Sequence, residues 1–502
     1  AQVGRAMNEG LGVEKRVDSI WSVARFVLVT EFCERMAYYG IQGNLVLFFT
    51  SRLSHSTPTA DTWSLIFAGT CYFTPLLGGY LADAKWTRYK TILVFCLIYL
   101  VGLVLLAVTA IPSVANDGSA LAALFLVALG TGGIKPNVST FGAEQMRSGS
   151  AAAVQTFFNW FYWAINLGSL IAFTLLVYIQ QNVDLALGYS IPAIAMALAT
   201  WSFVSGRHRY TVAQPQGSAL AEVGSIVWGA LRETRGIWCC GRGRRALTRL
   251  RASCGGPFPD KAVNDTRQVL RLLPVMVTFI LYWTVYNQMS STFLNQGERM
   301  RLEVGGVKIP VAALNLFDTA IILALVPLLD RVVYPWFKRR GSRLSMLTRI
   351  GLGYGFTVVA MVVAGIVERY RLNLVDHGHV VTQKVVDDEV TAADVSVFLQ
   401  VPQFLLIGTS EVLASITGLE FSYDQSPVSM RSVVMAVNLL TTGMGAYFGA
   451  ALIRVVNALS SGSPWVADNV NEGHLDRYFY LLAGLALLNL LVFMVVASRY
   501  RD

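Results

Sequence analysis

The chain has 502 residues, of which 54% are hydrophobic and only 14% are charged. A soluble protein carries roughly a quarter charged residues, so this composition excludes an ordinary soluble domain. The formal net charge of +9 might suggest nucleic-acid binding, but the basic residues concentrate in the loops between apolar segments, and no nucleic acid is expected as a partner.

Twelve apolar stretches are long enough to cross a lipid bilayer as helices, for which about 20 residues are needed. The sequence therefore predicts an all-α integral membrane protein with twelve transmembrane helices. The predicted spans lie near residues 20–50, 63–83, 91–111, 119–141, 152–180, 188–206, 268–294, 309–329, 345–367, 396–419, 432–458 and 478–498.

Arginine and lysine concentrate in alternate loops, whereas the opposite loops are neutral or acidic, as in residues 369–394. The positive-inside rule then predicts that both termini and the central linker are cytoplasmic. No cleavable signal peptide is visible, and the absence of an initiator methionine predicts a trimmed N-terminus. The predicted domains are a cytoplasmic N-terminal segment (1–19), a six-helix bundle (20–206), a basic linker (207–267) and a second six-helix bundle (268–502).

Within the linker, Ala219–Leu231 is weakly amphipathic. Such a helix would lie along the inner leaflet, and the arginines that follow it would favour anionic headgroups. The alternative is a flexible basic linker.

Three charged residues, Glu31, Glu34 and Arg35, lie near the middle of the first apolar stretch. On a helix they share one face with Tyr38 and Gln42, while the other faces are apolar. A charge at bilayer depth costs a few kcal/mol or more unless it is paired or faces water. The stripe is therefore expected to line a polar cavity; the alternative is a structural ion pair that joins two helices.

The two halves of the chain have similar segments after their second predicted spans. Asp83 is followed by a short loop that contains Arg88, and Asp330 is followed by a similar basic loop. An acid at a helix end that faces a basic loop can latch neighbouring helices, so Asp83 and Arg88 are predicted to form a helix latch. The duplication is typical of a transporter built from two bundles.

Four longer motifs resemble signatures of the proton-coupled oligopeptide transporters. They are EFCERMAYYG (Glu31–Gly40), GTGGIKPNVSTFGAEQ (Gly130–Gln145), FFNWFYWAINLGSL (Phe157–Leu170) and GLEFSYDQSPVSMRS (Gly418–Ser432). The chain is thereby identified as a eukaryotic-type member of this family, of the peptide/histidine type or of the plant and algal peptide/nitrate type. The resemblance implies the major facilitator fold, in which substrate and proton move by alternating access.

The resemblance assigns proton coupling to Glu31, Glu34 and Arg35, with Lys135 as a second buried cation opposite the first helix. Competition between Lys135 and Arg35 for one glutamate would couple protonation to helix rearrangement. The alternative for Lys135 is a lysine that extends to the membrane surface.

For substrate, the resemblance implies that Glu411 faces the amino terminus of a peptide, and a buried carboxylate suits an ammonium well. Glu411 is expected to be the only acid in the middle of the substrate-facing helices of the second bundle. Each aromatic candidate taken alone is better explained by simple packing. The other residues expected to contact substrate are Tyr38, Tyr39, Gln42, Tyr72, Asn166, Trp283, Asn287 and Asn315.

Three positions depart from the pattern of relatives. Gln42 stands where bacterial and intestinal-type relatives have an arginine, and Asn287 stands where they have an acid, so an amide pair is expected in place of a charged pair. Leu65 aligns with the second-helix histidine of intestinal-type transporters. All five histidines lie in loops or near span ends, so proton coupling is expected to rest on carboxylates.

The sequence predicts a proton-driven symporter of di- and tripeptides, not an enzyme. Transport of free histidine alongside peptides is left open. The alternatives are a carrier of nitrate or another small solute, or a membrane scaffold that recruits a cytosolic adaptor. Nitrate carriers that use a seventh-helix histidine would need one within residues 274–293, where there is none. Neither a metal nor an organic cofactor is expected, since the proton is the coupling ion. The plasma membrane and an endolysosomal or vacuolar membrane both remain open.

Overall fold

The computed structural model of the chain describes residues 2–146, 151–215, 217–233, 246–341, 344–386 and 388–500. In this part of the chain, eleven helices are long and apolar enough to cross a membrane, and the first helix carries the remaining predicted span. We number the twelve helices in chain order: α1 Gln2–Gly43, α2 Thr57–Ala84, α3 Arg88–Thr109, α4 Asp117–Gln145, α5 Ala153–Asn182, α6 Leu185–Arg209, α7 Asp260–Glu298, α8 Val311–Phe337, α9 Met346–Asp376, α10 Val397–Asp424, α11 Arg431–Leu459 and α12 Leu475–Arg499.

Each predicted span falls on one of these helices, so the prediction of a twelve-helix membrane protein is confirmed. The first span continues past α1 through Leu45–Leu47 and a π-helical turn at Phe48–Arg52. α9 extends well beyond its predicted end at residue 367, because Glu368 and Arg371 pair with each other inside the protein.

Short polar side chains begin several of the helices. The Asn116 side chain accepts a hydrogen bond from the backbone nitrogen of Gly118 at 2.8 Å, and Asp184 accepts one from Leu187 at 2.6 Å. These contacts satisfy backbone donors that the first turn of a helix leaves without a partner. They fix the starts of α4 and α6.

Glycines allow helices of the first half to approach closely. A Cβ atom built at Gly133 would lie 2.0 Å from Cγ of Phe95, and one at Gly168 would lie 2.8 Å from the carbonyl oxygen of Phe32. Small residues at such contacts are the usual means of close helix packing in membranes. As a result, α4 lies directly against α3, and α5 lies against the turn of α1 that carries the charged stripe.

The chain divides into two compact units. The first unit is Ala1–Gln216 together with Arg301–Ala313 and Val381–Ala392, and it contains α1 to α6. The second unit is Gly217–Met300, Leu314–Val380 and Ala393–Asp502, and it contains most of α7 to α12.

The linker contains a helix, Ala219–Glu233, which belongs to the second unit. Its Val223 packs into a core with Val269 and Leu272 of α7, and its Ile226 and Ala230 pack with Leu247 and Leu250 of the linker itself. This part of the linker is folded onto the second unit and is not a flexible tether.

Five short strands, which the sequence analysis did not predict, follow α7 and α9. Three of them form a sheet in the order β1–β5–β4, and β2 pairs antiparallel with β3 through Glu303 opposite Lys308. Exposed and half-buried positions alternate along β4, as on a sheet with one covered face. The bounds are β1 Met300–Arg301, β2 Glu303–Val304, β3 Val307–Lys308, β4 Val380–Val385 and β5 Asp388–Ser396.

Candidate functional site

The charged stripe of α1 forms a buried ion cluster within a single helix. Glu31 is 4% exposed, Glu34 0% and Arg35 5%. Arg35 Nε lies 3.0 Å from Glu31 Oε1, and Arg35 Nη2 lies 2.5 Å from Glu34 Oε2. The arginine therefore contacts both carboxylates and compensates one of their two charges, at a depth where an uncompensated charge is costly.

Lys135 lies near this cluster but binds aromatic rings instead of a carboxylate. Its Nζ atom lies 3.7 Å from the ring centre of Tyr72 and 5.2 Å from that of Tyr38. A cation over an aromatic face is stabilised by about 0.5–2 kcal/mol. Within the described residues Lys135 forms no ion pair, so both glutamates of α1 belong to Arg35 in this structure.

A break in α4 positions Lys135. The regular helix ends at Ile134 and resumes at Val138, because Pro136 lacks a backbone donor and its ring would clash with the carbonyl of the preceding turn. The Asn137 side chain bridges the break by donating to the carbonyl oxygens of Gly133 at 2.9 Å and Gly78 at 3.2 Å. The lysine is thus presented at a bend that is tied to α2.

The predicted aromatic residues of the first unit surround these cations. Tyr38 is 2% exposed and makes an edge contact with Tyr39, with 5.4 Å between the ring centres. Tyr39 in turn contacts Phe173 of α5 at 5.5 Å. Gln42 is half-buried one turn beyond Tyr38. The stripe predicted for α1 is therefore continuous from Glu31 to Gln42.

Two of the predicted asparagine side chains form a hydrogen bond with the backbone of their own helix. The Asn166 amide nitrogen donates to the carbonyl oxygen of Tyr162, and that of Asn287 donates to the carbonyl oxygen of Trp283, both at 2.8 Å. Each side chain keeps its Oδ1 acceptor and a second N–H. Asn315 is half-buried at the first turn of its α8 segment.

Trp283 lies in the second unit, at the centre of an aromatic group on α7. Its ring centre is 5.1 Å from those of both Tyr282 and Tyr286. The indole nitrogen is buried without a hydrogen-bond partner, which is unusual for tryptophan. Asn287 follows at the end of the α-helical part of α7, where a 3₁₀ turn begins.

Glu411 occupies the first position of a π-helical turn, Glu411–Ile416, inside α10. Such turns are rare and are frequent at functional sites. The Tyr286 side chain hydrogen-bonds to the Glu411 carboxyl, whereas Glu411 Oε2 is buried without a partner.

The expectation that Glu411 is the only acid at this depth in the second bundle is wrong. Asp318 lies in the first turn of the regular helix Asn315–Leu328 of α8, is 7% exposed, and packs against Gly408 of α10, one turn before Glu411. The signal was present in the sequence, since an aspartate within LNLFDTAIILALVPLL meets the same criterion that singled out the acids of α1.

The predicted helix latch is present as an ion pair. Arg88 Nη2 lies 2.9 Å from Asp83 Oδ1, and Arg88 Nη1 also pairs with Glu144, which the sequence analysis did not select. The arginine therefore ties the end of α2 to the end of α4. That this contact opens and closes during function stays a prediction.

A second buried ion pair lies in the second unit, away from the predicted residues. Arg371 Nη2 lies 2.6 Å from Glu368 Oε1, and both side chains are 0% exposed. Gln296 donates to Glu368 at 3.0 Å, Gln400 donates to Gln296 at 2.7 Å, and Arg371 donates to Asn471 at 2.5 Å. Because these charges are fully hydrogen-bonded, the network is structural in character.

A cavity of about 440 Å³ lies in the first unit, lined by Arg52, Asp184, Lys308 and Lys384 among others. None of the predicted site residues lines it. Within the described residues, no three His, Cys, Asp or Glu side chains come together as a metal site would require.

The chain is similar to several known proteins. The sequence model of the POT family (PTR2) matches residues 89–466 of this chain. The chain is similar to Protein NRT1/PTR FAMILY 8.1 of Arabidopsis thaliana, with 37% identity over 96% of this chain and 94% of the relative. It is also similar to Solute carrier family 15 member 3 of Rattus norvegicus, with 32% identity over 95% and 91%.

Two solved structures have a similar fold. The POT family transporter PepTSo shares 28% identity with this chain at a TM-score of 0.79, covering 95% of this chain and 98% of the other. An auto-inhibited POT family peptide transporter shares 26% identity at a TM-score of 0.79, covering 95% and 97%.

Proposed function

Because the chain belongs to the POT family of transporters and has the major facilitator fold, we propose that it is a proton-coupled symporter of di- and tripeptides. The observation that carries the proposal is the buried cluster of Glu31, Glu34 and Arg35 within α1. A structural protein has no evident use for two acids that share one cation at bilayer depth, whereas a proton carrier needs them.

In the proposed mechanism, Glu31 and Glu34 are the proton acceptors and Arg35 stabilises whichever of them is ionised. Protonation of one glutamate weakens its attraction to Arg35 and leaves the arginine with the other. Lys135, held only by the rings of Tyr38 and Tyr72, is then the second cation that an ionised glutamate can attract. Movement of a proton is thereby coupled to rearrangement of α1 and α4.

Glu411 binds the amino terminus of the substrate. Its buried carboxylate oxygen Oε2 can accept a hydrogen bond from an N–H of the substrate ammonium. A charge-assisted hydrogen bond of this type contributes roughly 1.5–3 kcal/mol. Asn166, Asn287 and Asn315 supply amide groups that suit a peptide backbone, which every short peptide shares. The aromatic group around Trp283 supplies contact area for side chains.

The protein is proposed to act as a carrier without enzymatic activity, with its termini and linker in the cytoplasm and with the proton as its only coupling ion. The basic residues of the linker and of alternate loops support this orientation. Free histidine is a further candidate substrate, since it carries the same ammonium group as a peptide.

The test is uptake into proteoliposomes under an imposed pH gradient, inside alkaline, with a labelled dipeptide, free histidine or nitrate supplied in parallel. The proposal expects concentrative dipeptide uptake that a protonophore abolishes. Gradient-driven uptake of nitrate without dipeptide uptake would identify a nitrate carrier. Absence of all three activities in folded protein would favour a scaffold that recruits an adaptor.

A further inference from the structure

Two acids of the second unit, Asp318 on α8 and Glu411 on α10, lie together without a cation. Asp318 is 7% exposed, and its Oδ1 is buried without a hydrogen-bond partner. Glu411 Oε2 is buried in the same way. Among the described residues, neither carboxyl forms an ion pair with Lys, Arg or His, in contrast to the acids of α1.

A glycine of α10 makes room for this arrangement. A Cβ atom built at Gly408 would lie 2.7 Å from Asp318 Oδ1 and 2.9 Å from the Asp318 carbonyl oxygen. Asp318 therefore packs directly against the backbone of α10. Gly408 precedes Glu411 by one helical turn on the same face, so the two carboxyl groups are neighbours along that face.

The other groups that face the pair are hydroxyls. Tyr282 of α7 is 2% exposed, and its hydroxyl lies beside the Ser410 side chain of α10, which precedes Glu411. Tyr286 of the same helix hydrogen-bonds to Glu411, and Tyr354 of α9 packs against Tyr282 at 5.6 Å. Tyrosine hydroxyls can donate hydrogen bonds, but they do not neutralise a second negative charge.

Two neighbouring ionised carboxylates within a buried site are strongly disfavoured, and such pairs hold a proton between them. We propose that Asp318 and Glu411 form a pair that keeps one proton in common, and that this proton resides on Asp318 when the ammonium of a substrate binds Glu411. Asp318 then donates its O–H to Glu411, which stays ionised. The pair carries one negative charge, which matches one ammonium.

In this role Asp318 is a positioning residue and not a direct ligand of the substrate. When the ammonium binds, the pair neither takes up nor releases a proton, because the proton moves only from the shared position to the Asp318 oxygen. The inference rests on the proposed function, since it takes the ligand to be a primary amine.

The experiment compares Asp318→Asn with Asp318→Ala by measuring affinities for a free dipeptide and for its N-acetylated form. Asparagine keeps a donor and the single negative charge of the pair, so it should retain most of the affinity. Alanine removes the donor and should weaken binding of the free dipeptide about tenfold or more, with little effect on the acetylated form. Equal losses in the two variants, or no loss in either, would overturn the proposal.

An infrared measurement tests the location of the proton independently of affinity. The dipeptide-bound wild-type protein should show a stretching band of a protonated carboxyl that disappears in Asp318→Asn. Glu420→Gln, which changes an exposed acid of the same helix, is the matched control and should keep the band. A band that survives Asp318→Asn in the bound protein contradicts the assignment.

The same method separates this inference from the proposed function. If the wild-type protein binds no peptide, the proposed function fails. The pair is still tested in the ligand-free protein, where the shared proton, and with it the band, should be lost in Asp318→Asn and in Glu411→Gln alike. Asp318→Asn is close in size to the native residue, so the infrared test stands even if Asp318→Ala does not fold.

Discussion

Replacing Glu34 by glutamine should uncouple transport from the proton gradient without unfolding the protein. Glu34 is 0% exposed and lies 2.5 Å from Arg35, so it is one of only two carboxylates that neutralise this cation. In Glu34→Gln, Glu31 remains 3.0 Å from Arg35, and the cluster then holds one acid and one base. The buried arginine keeps a partner, and the similar size of glutamine leaves no cavity.

The expected magnitude follows from the gradient. One pH unit stores about 1.4 kcal/mol per proton, which supports about tenfold accumulation of a substrate that moves with one proton. A carrier that has lost its coupling proton can only equalise the two concentrations. The steady-state ratio should therefore fall from about ten to about one for each coupled proton lost.

The assay is accumulation of a labelled dipeptide in proteoliposomes at a fixed pH difference, beside counterflow exchange without a gradient. Exchange should survive in Glu34→Gln, because the carrier can still cycle with substrate bound on both passages. Glu303→Gln, at an exposed position, is the matched control and should accumulate like wild type. Undiminished accumulation by Glu34→Gln would refute the assignment of this residue to proton coupling.

Four further changes test other parts of the structure. Arg35→Ala should destabilise the protein by roughly 3–5 kcal/mol, seen as a lower melting temperature in detergent, because two buried acids lose their cation; an unchanged melting temperature would contradict this. Lys135→Ala should abolish stimulation by the pH gradient while the protein stays folded, and an unaltered gradient dependence would make Lys135 a bystander. Glu411→Gln should weaken binding of a free dipeptide about ten- to a hundredfold and spare its N-acetylated form; equal losses would assign Glu411 a structural role. Gly133→Ala should lower stability by roughly 1–3 kcal/mol, because its methyl group would lie 2.0 Å from Phe95, whereas Gly79→Ala, with open space around it, should not.

The helices and the charged stripe were predictable because a bilayer imposes a strong constraint on sequence. A span needs about 20 apolar residues, and an acid within such a span is costly, so Glu31 and Glu34 are conspicuous against their surroundings. Asp318 met the same criterion and was overlooked, although no structural knowledge was needed to find it. The short strands were harder to predict, because two to nine residues carry little periodic signal.

Contacts between helices that are distant along the chain were not predictable from the sequence. The motif around Lys135 suggests a competitor for glutamate, but the structure places this lysine over the rings of Tyr72 and Tyr38. The choice between a carboxylate and a ring depends on where the break at Pro136 directs the side chain, which spacing along the chain does not reveal. The same holds for Glu144, whose contact with Arg88 joins residues far apart in sequence.

The buried network around Arg371 has a mechanical consequence for the second unit. Charged hydrogen bonds join α7 and α9 to the turn before α12, and an amide hydrogen bond from Gln400 to Gln296 adds α10. All of these contacts lie near one end of the helices. Local opening of a protein starts where such fastening is weakest. We therefore expect a gradient of stiffness along these helices, with the slowest amide hydrogen exchange around Glu368. Bending motions of the second unit should concentrate toward its opposite end, where the helices are held mainly by apolar contacts that tolerate sliding.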